Sequence, residues 1–86
     1  MNTPIFKNVT LSATYAPLNS ASLVCDFVLV NPTGNDAVYL EATVGSGDVT
    51  VAAGEWYEFK RCDLAAINIK GTADQTVRVI GHTAYP

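Results

Sequence analysis

The chain has 86 residues, 49% of them hydrophobic and only 15% charged, with a formal net charge of -3. That is the length of one domain, and the charge lies below the ~25% usual for soluble domains, so few groups remain to solvate an isolated surface. Lys7, Lys60, Arg61, Lys70 and Arg78 are scattered, which excludes a basic patch for direct nucleic-acid binding, and no apolar run reaches the ~20 residues of a membrane helix.

Met1 to Lys7 reads as an N-terminal arm, ordered only if something holds it. Met1-Asn2-Thr3-Pro4 has no charged region followed by an apolar one, so no signal peptide is expected. The chain is then made and kept in a cytosol, or released by lysis. Val9, Leu11, Ala13 and Tyr15 alternate with Thr10, Ser12 and Thr14, which predicts a strand with one wet face. Ala16-Pro17-Leu18-Asn19-Ser20 breaks it, since Pro supplies no ladder donor and Asn and Ser favour turns.

Leu23 to Val30 is the longest nearly unbroken apolar run. Leu23, Cys25, Phe27 and Leu29 share one face; Val24, Asp26, Val28 and Val30 share the other. A strand with a single wet face alternates apolar and polar, so this one reads as covered on both sides. Asn31 to Asp36 is the strongest turn signal. Val38, Leu40, Ala42 and Val44 predict the next strand. Gly45-Ser46-Gly47-Asp48 reads as a hairpin-type connection rather than a phosphate loop, because a strand pattern, Val49-Thr50-Val51, follows it instead of a helix.

Ala52-Ala53-Gly54-Glu55 is a tight turn in which Gly54 fits a position with positive φ. Trp56 to Arg61 is a strand with Tyr57, Phe59 and Arg61 on one face and Trp56, Glu58 and Lys60 on the other. Cys62 to Ala66 reads as one helical turn capped by Asp63. Ile67 to Lys70 and Thr76 to His82 are the last strands, the latter with Val77 and Val79 inward, and residues 83–86 form a tail. No segment shows helical spacing over ten residues. The whole predicts an all-β fold, a single antiparallel β-sandwich of seven to eight short strands over residues 1–86, jelly-roll or immunoglobulin-like.

Candidate chemistry is sparse. A reducing cytosol favours free thiols at Cys25 and Cys62 over a disulfide. With His82 the cysteines lack the paired spacing of a zinc site. No cofactor is expected. His82 has no serine in a nucleophile-elbow context, so an enzyme is not expected. Asp26 has no partner acid and reads as structural, paired with a Lys or Arg or meeting solvent. Trp56 faces outward if Tyr57 and Phe59 face the core, which suits a protein interface or a sugar platform. Capping the end of the sandwich is the alternative for Trp56, and Tyr39 and Tyr85 share that ambiguity.

Val38-Tyr39-Leu40, the run Val49 to Phe59 and the run Asp63 to Gly71 carry a resemblance to small β-sandwich virion proteins of tailed bacteriophages, the capsid decoration or cement proteins and head-fibre bases. Such chains carry an apolar-Gly-Glu turn, an aromatic-rich strand and an Asp-Leu-x-x-Ile segment. The resemblance covers residues 38–81 and gives no family reason for the two cysteines. It implies a non-enzymatic homo-oligomer, often a trimer, that sits on major capsid protein or other virion proteins and is assembled in the host cytoplasm. Candidate contact residues are Val24, Val28, Val30, Tyr39, Trp56 and Tyr85. A carbohydrate- or receptor-binding module using Trp56, Tyr57 and Tyr39 is the alternative.

Overall fold

The computed structural model describes residues 3–42 and 48–84. Within them the strands are β1 (Pro4–Thr10), β2 (Ala16–Pro17), β3 (Val24–Val30), β4 (Val38–Ala42), β5 (Val49–Val51), β6 (Trp56–Asp63), β7 (Ile67–Lys70) and β8 (Thr76–Thr83), with one 3-10 turn at Leu64–Ala66. They form two four-stranded sheets, ordered β1-β8-β3-β6 and β2-β7-β4-β5. Every pairing is antiparallel.

Alternation explains the layering. Val9, Cys25, Phe27, Leu29, Val77 and Val79 from the first sheet, and Val38, Leu40, Val51 and Ile69 from the second, are buried in one cluster. Leu11, Leu18 and Leu64 close its ends. Phe27 and Phe59 stack with centroids 4.8 Å apart at 17°, an aromatic contact that adds to the area the two rings bury.

The turns follow local chemistry. Gly54 has φ of 82°, and the Glu55 amide donates to the Ala52 carbonyl at 3.0 Å. Asp63 caps the 3-10 turn by accepting from the Ala65 amide at 2.9 Å. Asn31 is fully buried and ties three segments together. Its side-chain amide donates to the carbonyls of Asp36 and Val51, and its Oδ1 accepts from Asn35.

Four expectations are corrected. The first strand covers Pro4–Thr10, so residues 4–7, expected in an arm, pair with β8 from Pro4↔His82 to Lys7↔Val79. The expected run to Tyr15 stops early because Ser12 turns its hydroxyl onto the Thr14 carbonyl at 2.7 Å, a local bond that competes with the ladder. The break at Ala16-Pro17 contains β2, held to β7, and Leu18 after it is buried. Thr83, expected at the start of the tail, is the last residue of β8 and its amide donates to the Thr3 carbonyl at 2.8 Å. The expected strand end at Thr43 and Val44 and the turn Gly45-Ser46-Gly47 lie outside the described residues.

Candidate functional site

Register places the outward side chains of the first sheet in rows. Phe6, Ile80, Val28 and Glu58 form one row across β1, β8, β3 and β6; Asn8, Arg78, Val30 and Trp56 form the next. Five of these eight are apolar and adjacent. Phe6 is 80% exposed, Trp56 60% and Ile80 43%; Val28 and Val30 lie half-buried between them. At about 4.8 Å between strands, the patch spans roughly 14 Å across the sheet.

A third row bounds the patch: Pro4, His82 and Asp26. Here β6 has one residue too many. Phe27 pairs with Phe59 but Cys25 pairs with Cys62, so Asp26 faces both Lys60 and Arg61. This is a β-bulge, and Arg61 takes a positive φ of 50°. A bulge leaves a ladder amide without its partner, and the Asp26 carboxylate accepts the Arg61 amide at 2.7 Å. Asp26 is therefore structural as expected, but its strong partner is a backbone amide and not a Lys or Arg side chain. The bulge also shifts the phase of β6. Arg61, expected on the face of Tyr57 and Phe59, is exposed, and Cys62 takes the inward place opposite Cys25.

His82 lies at the rim of the patch, with Nε2 3.9 Å from Asp26 Oδ2 and Nδ1 3.1 Å from the Thr83 carbonyl. Glu58 and Lys60 form an exposed ion pair at 3.2 Å beside it. Gly81 lets β8 pass close to β3: a Cβ there would fall 2.0 Å from the Asp26 carbonyl oxygen. Among the described residues no group of three His, Cys, Asp or Glu side chains is placed to hold a metal ion.

Of the candidate contacts, Val24, Val28, Val30 and Trp56 are brought to this one outer face. Val24 is 40% exposed and stands apart beyond the Asp26 row. Tyr39 is on the outside of the other sheet, beside Lys70, whose ammonium lies 5.8 Å from its ring centroid and 4.7 Å from that of Tyr15. Tyr57 points between the layers, into an apolar groove with Val49, Phe59 and Ile67. Trp56, Tyr57 and Tyr39 thus face three directions and share no platform. Tyr85 lies outside the described residues. Phe6 and Ile80, the edge and centre of the patch, were missed. The signal for Ile80 was present, since Val77 and Val79 inward place it outward.

No protein-family model matches the chain, and no curated protein matches it. A solved structure from work describing Bacillus endospore appendages as a novel family of disulfide-linked pili is similar in fold, with a TM-score of 0.63 and 22% identity over 96% of this chain and 83% of that one.

Proposed function

We propose that this chain is a non-enzymatic structural subunit of a larger particle, a capsid decoration protein that binds the assembled shell through the outer face of its β1-β8-β3-β6 sheet. The observation that carries this is the contiguous exposed patch of Phe6, Ile80, Val28, Val30 and Trp56. Exposed apolar patches of this kind, rimmed by polar groups, mark interaction sites. An aromatic anchor such as Trp56, with the cation Arg78 beyond Val30 in the same row, has the composition of an interface hot spot. Burying the patch only in the assembled state would stabilise that state by linkage.

The strand order supports a jelly-roll assignment within the all-β class. Two four-stranded sheets between which the chain repeatedly crosses are what two Greek keys wound together produce. A second reading is a self-assembling appendage subunit, favoured by the likeness to the disulfide-linked pilus fold. The glycan-binding alternative retains Trp56 alone as a stacking surface.

Density-gradient separation of material from the source, probed for this chain, tests the function. Decoration predicts that the chain travels with capsid-sized particles and leaves them as an oligomer, with a trimer expected. Filaments made of this chain would establish the second reading. A chain found only as a free monomer would remove both.

A further inference from the structure

We propose that Cys25 and Cys62 are the two halves of a reversible cross-strand disulfide, closed when the folded protein meets an oxidising thiol–disulfide buffer. The bulge in β6 creates the pair. By bringing Cys62 rather than Arg61 to the inner face, it sets the two cysteines directly opposite each other in the β3–β6 ladder. Both thiols are free, and each rests against the carbonyl two residues before it, Cys25 on Leu23 at 3.6 Å and Cys62 on Lys60 at 3.3 Å.

The ladder type can be worked out. The Val24 carbonyl accepts from Ala84 on the β8 side, and the Leu23 carbonyl accepts from Leu64 on the other. Peptide groups alternate sides along a strand, so those of Cys25 face β6. Directly opposed residues of this type have Cα atoms about 5.5 Å apart, inside the 4.4–6.8 Å window of disulfides. Their Cβ atoms sit between about 1 and 2 Å wider than a disulfide prefers. The movement falls to β6, which is an edge strand and irregular at the adjoining bulge.

The order of events follows from exposure. Cys62 is partly exposed and Cys25 fully buried. Burial pushes the Cys25 thiol up, and the nearby Asp26 and Asp63 carboxylates push it the same way. Cys62, as the thiolate, attacks a small-molecule disulfide such as oxidised glutathione, forming a mixed disulfide and expelling one thiolate. Cys25 then loses its proton to the buffer and attacks the Cys62 sulfur, expelling the second. Two protein thiols are oxidised, and one small disulfide is reduced to two thiols, which recover the two protons. The closed bridge pins to β3 the strand that carries Trp56, whatever the outer face binds.

The test is to expose the native wild-type chain to excess oxidised glutathione, alkylate it under denaturing conditions, and record its intact mass and non-reduced peptide map. The expected product is an unalkylated chain two hydrogens lighter, with one linked peptide pair joining Cys25 to Cys62 and reversal by dithiothreitol. Its unfolding midpoint should rise by on the order of 10 °C over the reduced form. Cys62→Ser should show neither bridge nor rise. Two alkylated cysteines, glutathione retained on Cys62, or chains cross-linked through Cys62 would each overturn the proposal.

Discussion

Asp26 sits in an otherwise apolar strand because the strand beside it carries one extra residue, and the carboxylate takes up the Arg61 amide that this leaves over. Asp26→Ala removes the acceptor from a charge-assisted bond and is expected to cost about 1–3 kcal/mol, with Asp26→Asn recovering part of it; urea denaturation of the three proteins measures this. Gly81 answers to sterics instead. Gly81→Ala would press a methyl into the β3 backbone, where neither side can yield without breaking the ladder, and a loss of about 3 kcal/mol or failure to fold is expected. Asp63 sets an acid limit. Its carboxylate accepts from the Ser22 hydroxyl and the Leu23 and Ala65 amides, and these bonds hold it below the usual carboxylate range. The unfolded chain takes up that proton first as pH falls. The contribution is complete above the ordinary carboxylate value and is lost as pH drops through the folded one. Urea midpoints followed into acid should therefore fall less steeply for Asp63→Asn than for wild type.

At the scale of elements, β6 decides the most. Its inner residues Tyr57 and Phe59 line one side of the space between the layers, and Phe59 stacks on Phe27. Phe59→Ala is expected to cost about 3 kcal/mol, read as a lower denaturant midpoint with little change in slope. Much of this architecture was legible from periodicity. Val38 and Leu40, Val77 and Val79, and Cys25, Phe27 and Leu29 all alternate correctly into the core. Gly54 and Asp63 announced their turn and cap by residue type. Two kinds of feature escaped. β1 was hidden because Lys7 occupies an inward register position, where its ammonium escapes sideways to Asn19 Oδ1 at 2.6 Å. An inward lysine on an edge strand is a known guard against edge-to-edge pairing, but in one dimension it reads as a loop. The bulge escaped because strict alternation has no place for a two-against-one pairing, so Arg61 and Cys62 were assigned by a phase that the fold changes between them. The exposed apolar face was half legible. The doubly apolar run and the aromatic strand point Val28, Val30 and Trp56 outward on it, whereas Phe6 joins them only through the pairing of β1 with β8.

The whole molecule presents two unlike exteriors. The β2-β7-β4-β5 side shows Lys70 beside Tyr15 and Tyr39, polar groups that water solvates readily. The β1-β8-β3-β6 side shows Phe6, Ile80 and Trp56 in one band. For a chain with so few charges, burying that band against a neighbour would remove contiguous apolar surface from water, a favourable change. Ile80 stands between Phe6 and Val28 in the band and projects outward, so Ile80→Lys should spoil the contact while leaving the core intact, with an unfolding midpoint close to that of wild type. The decisive measurement is gradient sedimentation of wild-type and Ile80→Lys chains, each mixed with particles from the source stripped of this protein. Wild type should move with the particles while the variant stays at the top of the gradient. Equal sedimentation of the two with the particles, or wild type remaining at the top, would contradict the assignment of this face as the contact.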